Sequence, residues 1–184
     1  WFAVVPSGVN NYVSDGYQSA TGKPALFFLD LSKDAGSAWS LGTNYFKISF
    51  PFISTIASGT ALIDSNGQLT GKTRATGVLN FTGTAAPDGA VRFLYVPDLH
   101  GQLWKIDMAL ANFSSSNAMD WSLAKTSVYN TNAGNPIPMF IAQTNEGKYQ
   151  PISMSPTVAY GPSGSYIVAF GTGKYLEAKD NAIN

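Results

Sequence analysis

Residues Asp98–Met108 read DLHGQLWKIDM and follow the apolar run VRFLYVP at residues 91–97. Two apolar segments joined by a glycine-bearing turn predict a β-hairpin, whose second strand ends in aromatic, any residue, aliphatic, Asp, aliphatic. The same ending occurs in PALFFLDL, residues 24–31, and a looser copy occurs in YIVAFGTGKYLEAKD, residues 166–180. Similar hairpins that recur every several tens of residues, each unable to bury its own faces, indicate a β-propeller or another β-repeat array.

The composition restricts the class of protein. The 184 residues are 45% hydrophobic and 13% aromatic, which is enough for a packed core, whereas only 12% are charged. The 18 Gly and 10 Pro fall mostly between apolar runs, as in a turn-rich all-β protein. Because 11 basic residues balance 11 acidic residues, no net charge favours binding to nucleic acid or to an anionic membrane surface.

The absence of cysteine excludes a disulfide framework, a thiolate zinc site and a cysteine nucleophile. No apolar run of about eighteen residues occurs, so the sequence predicts no membrane-spanning segment. A weakly charged composition rich in Thr, Ser, Asn and Gly is typical of bacterial surface proteins. Because the chain opens at Trp1 inside the strand-like WFAVV, we expect it to be part of a longer secreted polypeptide.

Apolar alternation predicts about ten to twelve strands and almost no helix. Residues 109–119 could form a helical turn, but their Asn and Ser content favours a loop. We therefore predict an all-β fold, a β-propeller of quinoprotein-like four-stranded antiparallel blades, with residues 1–184 forming one partial ring of about three to four blades. The predicted strands are residues 1–5, 25–31, 45–50, 59–63, 78–81, 91–96, 102–108, 121–129, 137–142, 151–160, 166–170 and 174–177.

Aromatic and acidic residues recur at the hairpins. Trp39, Trp104 and Trp121 lie beside or within them, where a large ring can wedge between neighbouring sheets, so we favour packing over a ligand platform. Asp30 and Asp107 end their strands, where a carboxylate can accept backbone N–H bonds and fix the following turn. A structural role in the blade motif is predicted for Asp30, Asp98, Trp104, Asp107 and Tyr175.

The sequence predicts no catalytic residues, and we expect a protein that is not an enzyme. His100 is the only histidine; without a nearby Ser, Cys or second His it cannot build a nucleophilic triad or a His-rich metal site, so we interpret it as a solvated turn residue. No acid–base carboxylate pair and no GxSxG motif occur. FGTGKY at residues 170–175 lacks the GxxxxGK[ST] spacing of a phosphate-binding loop and predicts a hairpin turn.

Two turns carry incomplete sets of calcium ligands. The segment IDSNGQ offers Asp64 and Asn66, and APDGAV offers Asp88 before Gly89. Hard oxygen ligands at alternate positions and a glycine at the bend suit calcium, but neither loop completes the set. Calcium therefore remains possible at Asp64, Asn66 and Asp88, while an ordinary Asx turn is the favoured interpretation of each segment.

Residues 98–108, residues 149–181 and the opening WFAVVPSGVNNY leading to ALFFLDLS resemble the C-terminal β-propeller of the PilY/PilC type IV pilus tip proteins. FGTGKYLE, preceded by QPI and a Pro, is the most specific element, whereas DLxGxLWKxD is shared with quinoprotein-type blades. The resemblance implies a secreted factor at the bacterial cell surface, on the pilus tip or outer membrane, that promotes pilus assembly, opposes retraction and mediates adhesion. Its implied partners are pilin or minor pilins, a host or abiotic surface, and other domains of the same protein.

One departure from that family concerns calcium. Many relatives carry a loop of the form D-x-D/N-x-D-G-x-x-D before the DLxGxLWKxD strand. Matching it onto PDGAVRFLYVPDLHG places Asp88 and Gly89 on the D-G pair, but puts Ala, Ala and Pro at residues 85–87 and Arg92 at the closing ligand position. A guanidinium there would repel a divalent cation, so we expect no cofactor and no calcium-gated control of retraction.

Two other functions stay open: a quinoprotein-like dehydrogenase, and a structural repeat domain of another bacterial surface protein. The dehydrogenase would need Glu, Asn and Asp ligands for a metal-bound quinone, whereas the chain has only Glu146 and Glu177 as glutamates. Contacts with partners are expected in the long polar loops at residues 6–23 and 72–88. The candidate contact residues are Asn10, Asn11, Asp15, Lys72 and Arg74.

Overall fold

The computed structural model describes residues 1–9, 23–51, 77–112, 117–147 and 149–175. Within these ranges nine strands form three antiparallel sheets, which agrees with the predicted all-β class. The first sheet is β1 (Phe2–Pro6), β2 (Ala25–Asp30) and β3 (Tyr45–Ser49); the second is β4 (Thr82–Ala85), β5 (Val91–Pro97), β6 (Gln102–Asp107) and β7 (Phe140–Ile141); the third is β8 (Thr157–Tyr160) and β9 (Tyr166–Ala169). Short 3-10 turns at Met108–Leu110, Ala118–Trp121 and Pro162–Gly164 and one α-helical turn, α1 (Leu123–Thr126), connect the strands.

The second sheet lies in the middle and buries both of its faces. Because side chains alternate along a strand, Leu94 of β5 and Ile106 of β6 face the first sheet, whereas Tyr95 and Leu103 face the third. A strand buried on both sides has to be apolar at nearly every position. This explains why residues 93–97, FLYVP, form a continuous apolar run in sequence.

Aromatic rings fill the core between the first and second sheets. The ring of Trp121 stacks on Phe46 with centroids 4.1 Å apart, and its edge meets Phe2 at 5.3 Å. The ring centroids of Trp104 and Phe50, the residue that follows β3, lie 5.8 Å apart. The predicted wedging of Trp104 and Trp121 between sheets is confirmed. The buried members of this core are Leu26, Phe28, Phe46, Ile48, Phe50, Val78, Leu94, Val96, Trp104, Ile106, Met108, Ala111, Trp121 and Leu123.

A smaller core joins the second and third sheets. Its buried members are Tyr95, Leu103, Ala142 and Ile152, against which Val158 of β8 and Val168 of β9 pack. Since Val158 and Val168 are partners in the β8–β9 register, the two strands present one face to this core. The opposite face carries Ile167, which is exposed.

Several strand predictions are wrong in position. Residues 77–81 precede β4 without strand structure, because Val78 is held by the segment after β1: its N–H donates to Ser7 Oγ at 3.3 Å and its C=O accepts the Gly8 N–H at 2.7 Å. Residues 121–129 form the end of a 3-10 turn and α1 rather than a strand, and the strand predicted over 137–142 shortens to β7. The predicted strand at 59–63 lies outside the described residues.

The predicted hairpin turn at residues 170–175 is also different. Gly173 forms an isolated parallel bridge with Ile152 and donates its N–H to the Pro151 carbonyl at 2.7 Å. Lys174 and Tyr175 have no strand structure, and the rest of the predicted return strand lies outside the described residues. This segment therefore contacts the loop before β8 instead of pairing with β9.

Candidate functional site

The turn between β5 and β6 is the point where all three sheets meet; we call residues 98–102 the Asp98 junction. The Leu99 N–H donates to Gly77 O at 3.0 Å, in the segment that also bonds to Gly8 after β1. Gln102 Nε2 donates to Pro51 O at 3.2 Å, just beyond β3, and the Ile152 N–H donates to Asp98 O at 3.1 Å. One short turn thus connects segments that are tens of residues apart in sequence.

Asp98 is fully buried and organises this turn with its side chain. Its Oδ1 accepts the His100 and Gln102 N–H groups, each at 2.9 Å, and its Oδ2 accepts Gln102 Nε2 at 2.8 Å. Burial raises the pKa of Asp98 to about 7, although these hydrogen bonds act to lower it. The Trp104 indole N–H also acts to lower it, without making a hydrogen bond of normal geometry. Among the described residues no cation pairs with this carboxylate.

Gly101 explains why the junction is so tightly covered. Its φ is +80°, a conformation that favours glycine, and a Cβ atom there would collide with the Gln150 carbonyl oxygen and lie 3.0 Å from that of Ala142. The Gly101 carbonyl accepts the Ala142 N–H at 2.8 Å. The chain after β7 therefore lies directly against the turn.

The prediction that His100 is a solvated turn residue is wrong, because only 2% of its surface is exposed. The PDLHG segment has the composition of a surface turn, but the chain around Ala142 and Gln150 covers it. No local sequence signal announces this cover, since the covering residues come about forty residues later.

The strand-ending carboxylates make the hydrogen bonds that the sequence predicts. Asp30 Oδ1 accepts the Ser32 N–H at 2.9 Å and the Ser32 hydroxyl at 2.8 Å, and these bonds hold the pKa of Asp30 below its usual value. Asp107 Oδ1 accepts the Ala109 N–H at 2.9 Å and caps the 3-10 turn. Both carboxylates therefore accept hydrogen bonds from the backbone that follows their strands.

Two aromatic residues differ from the sequence prediction. Trp39 is 51% exposed, with the Lys33 ammonium 4.7 Å from its ring centroid, so the expectation that it wedges between sheets is wrong. It lies in the irregular chain before β3 rather than in a strand, and the sequence pattern does not distinguish these positions. Tyr175, which we placed in the blade motif, is exposed beyond the last described strand.

The loop aligned with the family's calcium motif does not fit a calcium site in its described residues. Asp88 Oδ1 accepts the Ala90 N–H at 3.0 Å, an Asx turn, and the preceding Ala85 and Ala86 have no side-chain oxygen. Arg92 Nη2 lies 2.8 Å from Asp107 Oδ2 and forms an ion pair with it. The residue at the closing ligand position is thus engaged with a carboxylate of the neighbouring strand.

Several candidate residues fall outside the described residues. These are the contact candidates Asn10, Asn11, Asp15, Lys72 and Arg74 and the calcium candidates Asp64 and Asn66. In the described ranges, no three His, Cys, Asp or Glu side chains converge as metal ligands would. No helix there is long and apolar enough to cross a membrane.

The structure also assembles a surface that sequence reasoning missed. Tyr160 ends β8 and Tyr166 begins β9; their rings lie 5.5 Å apart, and Tyr166 meets Phe93 of β5 edge-on at 6.1 Å. We call these three rings the aromatic row. The Lys105 ammonium lies 4.2 Å from the Phe93 centroid, at one end of the row. The two tyrosines that flank the GPSGS turn could have indicated an aromatic pair from the sequence. Phe93 is more than sixty residues away, so the sequence does not indicate that it joins them.

Antiparallel sheets packed in series, with a four-stranded sheet between two others, have the architecture of a β-propeller. The chain belongs to the PilY1 beta-propeller domain family, whose sequence profile matches residues 58–184. The predicted propeller fold and the resemblance to pilus tip proteins are confirmed. The predicted count of three to four blades in a single domain stays a prediction.

Individual relatives support this assignment. A type IV pilus biogenesis factor PilY1 homolog from Xylella fastidiosa is 44% identical over 94 residues, which are 51% of this chain and 6% of that protein. The type IV pilus biogenesis factor PilY1 of Pseudomonas aeruginosa is 28% identical over 178 residues, which are 90% of this chain and 12% of that protein. This chain therefore spans only a small part of these relatives.

A solved structure shows the same fold. The crystal structure of the Pseudomonas aeruginosa PilY1 C-terminal domain aligns with a TM-score of 0.56 and 22% identity, covering 98% of this chain and 30% of that one. At this identity the likeness concerns the fold alone, and the aligned part is less than a third of the solved domain.

Proposed function

We propose that this chain is a propeller region of a type IV pilus biogenesis factor, and that it acts as an interaction scaffold rather than as an enzyme. The match of residues 58–184 to the PilY1 beta-propeller domain carries the proposal. Its relatives in Xylella fastidiosa and Pseudomonas aeruginosa bear the name of type IV pilus biogenesis factors. We place the protein at the bacterial cell surface, on the pilus tip or the outer membrane.

Within this role the propeller promotes pilus assembly, opposes retraction and mediates adhesion to a host or abiotic surface. Pilin or minor pilins, together with other domains of the same polypeptide, are the partners we propose on the cell side. The polar segments around Asn10 and Lys72, which the sequence predicts to be loops, are the proposed contact regions, because loops supply many of the binding residues of proteins.

The use of the acidic side chains supports a scaffold. A catalytic carboxylate has to reach its substrate, whereas both oxygens of Asp98 accept hydrogen bonds inside a buried turn. Asp107 is held by Arg92 and by the Ala109 N–H, and Asp30 is held by Ser32. These carboxylates stabilise the turns that follow β2, β5 and β6.

Deletion of the codons for residues 1–184 from the gene of the full-length protein tests the proposal. We expect fewer surface pili and weaker attachment, measured by counting pili and adherent cells. Repeating the count in a strain without the retraction motor separates the roles: pili that return there indicate opposition to retraction, and pili that stay absent indicate a role in assembly. Normal piliation and attachment in the deletion strain would overturn the proposal.

Point variants test the contact loops without removing the scaffold. Charge reversal at Lys72 and Arg74, or Ala at Asn10 and Asn11, should weaken attachment while the melting temperature of the purified protein stays unchanged. Charge reversal at Lys125, an exposed residue of α1, is a matched control and should leave attachment intact. Loop variants that attach like the control would exclude these loops as the contact regions.

A further inference from the structure

The aromatic row lies in the seam between the second and third sheets. Tyr160 and Tyr166 are register partners in β8 and β9, and by alternation they share the sheet face that carries Val158 and Val168. That face packs against the second sheet, where Phe93 begins the apolar part of β5. A further blade would stack on the opposite face, at Ile167, and would leave the row uncovered.

The row is open to solvent at its outer end. Tyr160 is 80% exposed, and Tyr166 and Phe93 are partly buried. Aromatic rings that pack against one another at the surface keep part of their area exposed to water. Groups of exposed apolar rings mark binding sites more often than single exposed residues do. The three rings form a continuous series of aromatic neighbours from the rim into the seam.

The charge at the inner end of the row is positive. Lys105 Nζ lies 4.2 Å from the Phe93 centroid and 5.7 Å from that of Tyr95, and no carboxylate among the described residues pairs with it. Asp107 is the acidic residue paired with Phe93 in the β5–β6 register, but the Arg92 guanidinium neutralises it at 2.8 Å. An approaching anion would therefore meet an uncompensated ammonium.

Tyr95 lies beneath the row rather than on its surface. It follows Phe93 by two residues on the same face of β5, with the Lys105 ammonium 5.7 Å from its ring centroid, and it is 1% exposed. Its hydroxyl has no hydrogen-bond partner among the described residues. Because this hydroxyl is buried, Lys105 and the outer rings are the groups that can contact a ligand.

We propose that the aromatic row, with Lys105, binds an acidic carbohydrate chain. Sugar rings present C–H groups that pack on aromatic faces, and their hydroxyls match the tyrosine hydroxyls. A carboxylate on the sugar would pair with Lys105. An acidic peptide would satisfy the charge alone, whereas the phenol hydroxyls and the stacked tyrosine faces fit a saccharide better.

This inference names a ligand class for the adhesive part of the proposed function, and its test needs no pili, so either can fail without the other. Titration calorimetry of the purified protein with a linear oligogalacturonate, which has one carboxylate per ring, should give saturable binding that weakens as salt is added. A neutral maltooligosaccharide of equal length should bind roughly three- to tenfold more weakly, because it has no carboxylate to pair with Lys105.

Two variants locate the site and a third is a control. Tyr160→Ala and Lys105→Gln should each lower the affinity for oligogalacturonate by roughly three- to tenfold, the range expected for one exposed stacking or charge contact. Tyr95→Phe should leave the affinity unchanged, because that hydroxyl is buried beneath the row. A loss of affinity in Tyr95→Phe that Tyr160→Ala does not share would overturn the placement of the site on the exposed rings.

The matched control is the other exposed lysine–aromatic pair, in which Lys33 lies 4.7 Å from the Trp39 ring. Lys33→Gln and Trp39→Ala should leave the affinity unchanged. Absence of saturable binding, equal binding of the neutral oligosaccharide, or equal sensitivity to the control variants would overturn the proposal. Binding of oligoglutamate with the same dependence on Tyr160 and Lys105 would also overturn it, in favour of an acidic peptide.

Discussion

Asp98→Asn removes the one fully buried carboxylate of the junction and should change how stability depends on pH. The amide oxygen of asparagine can still accept the His100 and Gln102 N–H groups that now bond Oδ1 at 2.9 Å. The amide nitrogen would face Gln102 Nε2, so the Gln102 side chain has to rotate and lose its bond to Pro51 O. The variant is therefore close in shape but has no charge to desolvate.

The magnitude follows from the pKa of Asp98, which burial raises from its ordinary 3.8 to about 7. At about 1.36 kcal/mol for each pH unit, this difference corresponds to about 4 kcal/mol. Because the folded protein holds the proton more tightly than the unfolded chain, this stabilisation is complete below about pH 4 and is lost as the pH rises through about 7. Asparagine does not titrate, so the variant should lack this loss.

Urea unfolding at several pH values between about 4 and about 8 measures the effect, with free energies from linear extrapolation. The free energy of unfolding of the wild type, relative to Asp98→Asn, should fall by a few kcal/mol across this range. Asp30→Asn is the control: the pKa of Asp30 is lowered from 3.8 by its bonds to Ser32, so its contribution is lost only below this pH range and its curve should run parallel to that of the wild type. Parallel wild-type and Asp98→Asn curves would refute the reasoning.

Two further predictions concern packing and calcium. Trp104→Ala should lower the free energy of unfolding by about 3 to 5 kcal/mol in a denaturant melt, because the ring fills the core beside Phe50. Trp39→Ala should lower it by under about 1 kcal/mol, because Trp39 is half-exposed; equal losses in the two variants would contradict this prediction. Millimolar calcium should leave the melting temperature nearly unchanged, since a true site would stabilise the fold by mass action. A rise of several degrees that Asp64→Ala or Asp88→Ala abolishes would show that a calcium site exists.

Local hydrogen bonds are the part of the blade motif that the sequence predicts well. Asp30 bonds to Ser32 and Asp107 bonds to Ala109, each two residues away, so residue type and position after a strand suffice. The hairpin of β5 and β6 is predicted for the same reason, since its turn and its apolar alternation are contained in about seventeen residues. The absence of a net charge likewise follows from composition alone.

The prediction of strands from the sequence fails where tertiary contacts outweigh the local pattern. The segment after Trp121 is apolar enough to predict a strand, yet it coils into α1, and Trp121 stacks on Phe46 of a distant strand. Val78 is apolar and buried, but its backbone bonds to Ser7 and Gly8 instead of to a sheet partner. Burial of an apolar side chain does not by itself require a strand.

By itself, the sequence determined the all-β class, the repeated hairpins and the turn-fixing carboxylates, because each depends on residues close together in the chain. Only the tertiary structure decided that His100 is buried and that burial raises the pKa of Asp98 to about 7. It also decided that Phe93 and Lys105 lie next to Tyr166 and Tyr160, between the second and third sheets. These properties depend on which distant segments pack over a residue. Those segments, rather than the residue's neighbours in sequence, determine whether its side chain is exposed to water and which side chains it contacts.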